Sequence, residues 1–405
     1  MKKNKIAIIG GGAAGFFAAL RLAELAPDTE IVIFEQANKV LQKVKISGGG
    51  RCNVTHACFV PDDLVMNYPR GEKELLGPFY KFNPADTMEW FENEGVALKI
   101  EDDNRVFPVS DSSQTIIDCL LNKARKLNVE IRKSEGIKSF EFINNQWQLA
   151  TSQSNYQFNT LLLACGSNQQ IWQQLKKLGH TIVEPVPSLF TFNIASSLIK
   201  SLPGVAVPHA FISIAGEKLE SEGPLLITHW GLSGPGILRL SAWGARILAQ
   251  KKYNFTLKVN WLGIEQSDAQ EKMNLALATH AEKTVNSPLF YDVPKRLWQQ
   301  MITQLNINPT TKWKQVATKD LEALLFLLTD CAFDVNGKST FKDEFVTAGG
   351  VELKEIDFRT MQSKCLPNLY FAGEVIDVDA ITGGFNFQNA WTTAWLAANA
   401  IAEIQ

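Results

Sequence analysis

Two groups of residues, one near each end of the chain, have the types and spacing to hold an extended dinucleotide. Gly10, Gly12 and Gly15 stand in G-x-G-x-x-G order directly behind the β-branched apolar run Lys5 to Ile9. Gly10 permits a tight turn, Gly12 lets backbone N–H groups approach a pyrophosphate, and Gly15 lets the next helix pack closely on the strand. Ala13 and Ala14 open that helix, whose first N–H groups lack internal partners and carry partial positive charge. Glu35 closes the next apolar run, twenty residues past Gly15. A carboxylate there accepts hydrogen bonds from ribose hydroxyls and repels a 2′-phosphate. The bland alternative is a glycine turn before a core helix. The full order of strand, turn, helix, strand and acid argues against it.

More than three hundred residues later, Leu369-Tyr370-Phe371-Ala372-Gly373-Glu374 leads through Asp377 into Gly383-Gly384-Phe385-Asn386. Gly383 and Gly384 permit close backbone approach before a helix with an apolar face. A reduced flavin carries negative charge near N1 and the C2 oxygen, and free N–H groups at a helix start suit that edge. An ordinary glycine turn is again the bland reading. Glu374 and Asp377 follow a buried strand, where ligands gather outside the carboxyl ends of parallel strands; a plain acid at a helix start weighs equally for them. Taken together, one cradle for the nucleotide and one for the redox ring point to FAD.

The elements that must position these groups read as an α/β domain over the first 185 residues. Helical periodicity covers Ser113 to Lys126. Val129 to Arg132, Ile137 to Ile143, Gln146 to Ala150 and Thr160 to Ala164 read as strands, with Asn144-Asn145 as a hairpin turn. Gln42 to Asn53 is too glycine-rich for a regular element. From Pro185 short strand-like runs (Leu189 to Ile194, His209 to Ala215, Leu225 to Thr228, Asn254 to Trp261) favour a small antiparallel sheet or barrel. Helical patterns then follow, with Pro294 in a first turn and Thr318 as an N-cap. The expected organisation is a Rossmann-like, glutathione-reductase-like FAD domain over 1–185 plus 345–405. A β-barrel-like domain takes 186–265 plus 329–344, and a helical subdomain is inserted at 266–328.

Composition narrows the class. The chain has 405 residues, 45% hydrophobic and 20% charged, with 40 basic and 42 acidic residues and a net charge of −2. That is an ordinary balance for a globular enzyme and gives nucleic-acid binding no compositional support. The six cysteines form no C-x-x-C, and no zinc-ligand spacing is present, so no metal is expected. Scattered single cysteines suit a reducing cytoplasm. Lys2, Lys3 and Lys5 before an apolar run resemble a secretory signal, but cleavage after Ala13 or Gly15 would destroy the glycine motif. The uncharged stretch Ala380 to Ala402 carries Asn386, Gln388, Asn389, Thr392, Thr393 and Asn399, which are costly against lipid; it reads as an interior helix.

Three longer blocks carry a resemblance. They are Ser47-Gly48-Gly49-Gly50-Arg51-Cys52-Asn53-Val54-Thr55, Thr228-His229-Trp230-Gly231-Leu232-Ser233-Gly234-Pro235, and Thr347 to Val351 continuing through Thr360 to Lys364 into Phe371 to Asn386. In order and spacing the chain resembles the BaiN-type (RdsA-type) bacterial NAD(P)/FAD-dependent oxidoreductases over nearly its whole length. The resemblance implies a Rossmann-like FAD domain, a barrel-like domain and a helical insertion. It also implies that the stretch holding Glu374 and Asp377 approaches the ribityl–pyrophosphate part of FAD. Two departures stand out: Ala164-Cys165-Gly166-Ser167-Asn168 replaces a longer glycine-rich loop, and Ala380-Ile381 stands where glycine is commoner. Ser47, Gly48, Gly49, Arg51, Cys52 and Asn53 offer groups for the polar edge of an isoalloxazine. Arg51 instead suits an acidic substrate or a surface carboxylate, and Cys52 a packing role. Gln36, Lys43, Ile137, Ala164, Cys165, Gly166 and Asp379 complete the set expected around the cofactor.

The reaction expected is hydride transfer through flavin N5 between NAD(P)H and a small organic substrate. No second glycine fingerprint follows Glu35; Gly231 to Gly236 has the wrong spacing and no acid behind it. NAD(P)H therefore docks transiently over a non-covalently held FAD. His229 and Glu374 are the candidate proton donors; for His229, beside Trp230, a structural role weighs at least equally. A flavin oxidase releasing peroxide and a non-catalytic flavin-binding protein are the alternatives. An RNA-modifying flavoenzyme would call for a basic surface.

Overall fold

The computed structural model describes residues 4–290, 292–339 and 346–404. The chain divides into two compact units, Met1–Val186 with Lys342–Gln405, and Pro187–Phe341. The first unit is built on a sheet of seven strands. Their order is Ile356–Asp357, Gln362–Ser363, Leu369–Phe371, Thr160–Leu163, Lys5–Ile9, Glu30–Phe34, Glu130–Arg132. Lys5–Ile9 pairs in parallel with Thr160–Leu163 on one side and Glu30–Phe34 on the other. Ile6, Ala7, Ile8, Leu161, Leu162 and Leu163 are each 0% exposed, so apolar residues fill both faces of the central strands, as covered parallel sheets require.

The return of the chain to this sheet is explicit. Leu369–Phe371 lies parallel to Thr160–Leu163, with Leu161 opposite Leu369 and Leu163 opposite Phe371. The glycine pair in the Thr347–Val351 block is there for packing. A Cβ on Gly349 would lie 2.6 Å from Pro185 Cα, and one on Gly350 would lie 2.7 Å from the Ile376 carbonyl carbon. Both have positive φ, 131° and 142°.

A smaller sheet holds the hairpin Ile137–Ile143 and Gln146–Thr151, in which Ile143 pairs with Gln146. Asn144 and Asn145 take φ of 52° and 60°, as the hairpin turn demands. Asn155–Phe158 adds a third strand.

The second unit contains a closed barrel of six strands: Thr191–Ile194, Gly231–Ser233, Glu220–Ile227, Ala206–Ile214, Asn254–Asn260 and Cys331–Ser339. Residues 266–328 carry the helices Gln266–His280, Lys295–Gln304 and Thr318–Thr329. Their apolar faces join the barrel interior in one core, where Met273, Trp298, Trp313 and Leu324 pack with Phe192, Ile212, Leu257 and Phe333.

Three local details differ from the sequence expectation. Gln42 to Gly50 is helical at its start; Ser47, Gly48 and Gly49 then leave helical geometry. Pro294 occupies the N-cap position rather than the first turn. Ala317, not Thr318, is the N-cap of its helix, and no side chain caps it. In the last two cases the helix boundary differs from the local signal by a single residue.

Candidate functional site

The glycine turn has the geometry its spacing demands. Gly10 has φ 114°, and a Cβ there would lie 2.3 Å from the Ala164 carbonyl oxygen. A Cβ on Gly15 would meet the Gly10 oxygen at 1.9 Å, so helix and strand touch backbone to backbone. Gly12 differs, because a Cβ there would meet nothing within 4 Å. It is the N-cap of Ala13–Leu25, and no side chain caps that helix. The first N–H groups, at Ala13, Ala14 and Gly15, thus open beside free space, as an anion site requires.

Glu35 is held over this turn by two backbone donors. Gly11 N–H donates to its Oε2 at 2.9 Å and Ala37 N–H to its Oε1 at 2.8 Å. A carboxylate has acceptor capacity left for ribose hydroxyls. Gln36 and Ile137 lie at the same end of the sheet: a Cβ on Gly136 would be 3.2 Å from Gln36 Cβ, and Glu135 N–H donates to the Glu35 carbonyl at 2.9 Å.

Three loops meet beyond the carboxyl ends of the central strands. Lys43 Nζ pairs with Glu374 Oε2 at 2.5 Å, and a Cβ on Gly166 would lie 3.5 Å from that same oxygen. Ala164 N–H donates to the Ile9 carbonyl at 2.9 Å, and Cys165 is half-buried. Gly373, at φ 72°, comes within 3.1 Å of Ala14 Cβ when a Cβ is placed on it. Its N–H donates to Thr393 Oγ1 at 2.9 Å, so the last strand's loop is tied to both the first helix and the last.

The other half of the site is the start of the helix Phe385–Glu403, with Gly384 as N-cap and no side-chain cap. Gly384 has φ 97°, and a Cβ there would meet the Thr55 carbonyl oxygen at 2.5 Å and Asn53 Oδ1 at 2.9 Å. The helix start is therefore wedged against the loop that follows Ser47 to Cys52. Asn386 clamps the preceding turn: its Oδ1 accepts from Ala380 N–H at 3.0 Å and its Nδ2 donates to the Ala380 carbonyl at 3.1 Å. A buried network ties loop to helix. Gln388 Oε1 accepts from Thr55 Oγ1 at 2.6 Å and Thr87 Oγ1 at 3.0 Å, while its Nε2 donates to Thr392 Oγ1 at 3.0 Å.

Within the glycine loop, Gly48, Gly49 and Gly50 all have positive φ, and neither Gly49 nor Gly50 would bring a Cβ within 4 Å of anything. Ser47 Oγ donates to the Val44 carbonyl at 2.9 Å. Arg51 is engaged elsewhere. Its guanidinium pairs with Glu101 at 2.6 Å and Asp111 at 3.3 Å and covers the Phe107 ring at 3.8 Å. The hydrogen bond it donates to Glu101 holds it above its usual pKa. Cys52 is fully buried, and burial pushes its thiol up to about 12, so it is a neutral packing group at ordinary pH. Asp379 is fully buried against Arg70, whose Nε donates to its Oδ1 at 2.5 Å. Asp377 is also buried, and its N–H donates to the Val351 carbonyl at 3.1 Å.

His56 has no counterpart among the residues singled out from sequence. Its ring stacks on Phe385, centroids 4.4 Å apart at 22°, and burial lowers its pKa. A polar residue directly after the glycine-rich block Ser47 to Thr55 was the available signal. Asn53 Oδ1 and His56 Nδ1 are both buried without a hydrogen-bond partner. Open space at Gly12, Gly49 and Gly50, two uncapped helix starts and these orphaned acceptors fit a bound FAD. His229 belongs to the barrel unit, exposed on the turn before Gly231–Ser233, beside Trp230 at 60% exposure.

One further cluster has metal-type residues. Among the described residues, His180, Glu355 and Cys365 bring ligand atoms within 4.8 Å of one another. Ser363 Oγ already accepts from Cys365 N–H at 3.1 Å and Leu366 N–H at 2.9 Å, so its hydroxyl donates to His180 Nε2 at 2.9 Å. His180 Nδ1–H then donates to Glu355 at 2.7 Å. Every atom of this relay has a partner, which makes it a structural clasp.

A family model and named relatives match this chain along nearly its whole length. A family model described as HI0933-like protein Rossmann domain matches residues 4–400. The ribosomal RNA dihydrouridine synthase of Escherichia coli (strain K12) is 29% identical over 409 residues, covering 98% of both chains. The 3-dehydro-bile acid delta(4,6)-reductase of Clostridium scindens is 26% identical over 411 residues, covering 99% of both. Among solved structures, 3-ketosteroid delta1-dehydrogenase from Sterolibacterium denitrificans superposes with a TM-score of 0.52 at 10% identity, covering 100% of each chain; that likeness is one of fold. Among the described residues, no helix is long and apolar enough to cross a membrane.

Proposed function

The chain belongs to the HI0933-like Rossmann-domain family of FAD-dependent oxidoreductases, and from that premise we propose that it is a reductase. Its substrate carries a carbon–carbon double bond conjugated with a carbonyl, and its electrons come from NAD(P)H by way of a non-covalently held FAD. The observation that carries this reading is that one unit holds two uncapped helix starts, at Ala13 and Phe385, the second of them beside a loop with orphaned acceptors.

Bound FAD supplies the hydride at N5. The chain's own residues bind and orient it. The N–H groups of Ala13, Ala14 and Gly15 receive the pyrophosphate, and Glu35 receives ribose hydroxyls. The start of Phe385–Glu403 stabilises the negative edge of the reduced ring. Lys43 and Glu374 fasten their two loops together and would hold them in place beside a bound FAD. Cys52, buried and neutral, offers no thiolate for covalent attachment, which supports non-covalent binding.

The names of two relatives support reduction over oxidation. Making dihydrouridine saturates a double bond conjugated with a uracil carbonyl, and a delta(4,6)-reductase of a 3-oxo bile acid saturates one conjugated with a ketone. A near-neutral chain of net charge −2 favours a small molecule. Uracil within ribosomal RNA is the second reading, favoured by the synthases of Escherichia coli and Haemophilus influenzae at 29% and 26% identity.

The test is anaerobic. NADH or NADPH is expected to bleach the FAD-loaded protein, and a conjugated enone or unmodified ribosomal RNA to restore the colour. Recovery with the enone alone marks the small-molecule substrate; recovery with RNA, together with dihydrouridine in it, marks the other. In a parallel assay in air, peroxide released from dioxygen when an amine is added without NAD(P)H would replace the reductase by an oxidase. Failure of every donor to bleach the flavin would leave a binding protein.

A further inference from the structure

Two orphaned acceptors flank the glycine pair before the last helix, and only one of them belongs to the glycine-rich block. Asn53, 8% exposed, directs its unpartnered Oδ1 to within 2.9 Å of where a Cβ on Gly384 would stand. His56 lies three residues on, its Cδ2 3.4 Å from the corresponding point on Gly383. The imidazole is fixed from two sides. Phe385 stacks on its face, and strand pairing sets His56 opposite Arg105.

Burial lowers the pKa of His56, so its ring is neutral with one protonated nitrogen, and Nδ1 has no hydrogen-bond partner. With that proton on Nε2, Nδ1 is a buried acceptor with nothing to accept. Desolvation favours this neutral form, so protonating Nδ1 does not relieve the deficit. Leaving a buried acceptor unmet is costly, and such atoms call for a ligand donor.

We infer that His56 reads the N–H edge of the bound flavin ring, its Nδ1 accepting a hydrogen bond from flavin N3–H. The chemistry of the ring matches the order of groups on the chain. An oxidised isoalloxazine has a single ring N–H, at N3, beside the C2 oxygen. A helix start offers donors to that oxygen, and the imidazole stacked on the first residue of the same helix offers the adjoining acceptor. Histidine at 56 makes flavin recognition depend on N3 carrying its proton. This inference rests on the FAD reading above.

The test compares FAD with N3-methyl-FAD, added to flavin-free protein and followed by flavin fluorescence. Wild type is expected to prefer FAD on the order of tenfold or more, the worth of one buried hydrogen bond. His56→Ala, which removes the acceptor and opens space for the methyl group, is expected to bring the two affinities together. His56→Gln, whose amide oxygen accepts, is expected to restore part of the preference. Equal binding of both flavins by wild type, or full preference retained in His56→Ala, overturns the inference. The wild-type comparison stands even if a variant does not fold. Uptake of neither flavin by wild type would instead remove the FAD reading, and the inference with it.

Discussion

Gly12 and Gly15 share one turn and answer to opposite constraints. A methyl group on Gly15 strikes the Gly10 carbonyl at 1.9 Å, whereas one on Gly12 enters empty space from an ordinary φ of −93°. Gly15→Ala should therefore cost about 3 kcal/mol of stability in the flavin-free protein, as backbone must move to admit it. Gly12→Ala should shift stability by less than about 0.5 kcal/mol, yet weaken FAD binding by roughly tenfold, because its methyl takes pyrophosphate space. Urea melts and flavin titrations separate the two effects. A Gly12→Ala protein that binds FAD as tightly as wild type would show that the cradle lies elsewhere. The roles of these glycines were legible because each follows from the missing Cβ. His56 was not legible, since its importance comes from a ring meeting Phe385 more than three hundred residues away.

At the scale of elements, regular periodicity located most strands and helices. The helix Ser113–Lys126 and the strand Ile137–Ile143 coincide with their sequence patterns. The hairpin turn offers a direct check. Asn144 and Asn145 both sit at positive φ, which asparagine tolerates and glycine adopts without strain. Asn145→Gly should stabilise the protein by about 0.5 kcal/mol, read as a higher urea midpoint at unchanged slope; a lower midpoint would mean that the Asn145 side chain contributes more than its backbone strain costs. Elements fixed by partners rather than by periodicity were harder to read. Gly231–Ser233 is a strand because Thr191–Ile194 and Glu220–Ile227 pair with it on either side. Its glycine, at φ 149°, abuts the Phe192 carbonyl. Nothing in three residues announces that.

At the scale of the whole molecule, the helices of 266–328 complete the barrel's interior. Trp298 and Trp313 are buried in the core that also holds Phe192, Leu257 and Phe333. Deleting 266–328 from the full chain removes several such residues, each worth about 3–5 kcal/mol when truncated, against a domain stability of about 5–15 kcal/mol. The barrel's cooperative unfolding transition should vanish from the deletion protein, as monitored by near-ultraviolet circular dichroism. A retained transition would show that the helices form a separable subdomain. By itself the sequence determined the dinucleotide turn, the acid after the second strand and the parallel sheet, because glycine spacing and apolar runs act through neighbours along the chain. Only the tertiary structure decided which polar groups keep free capacity. Arg51 went to Glu101 and Asp379 to Arg70, while Asn53 and His56 kept unmet acceptors. Hydrogen-bond satisfaction is a property of enclosed space, and enclosure exists only after distant segments have packed.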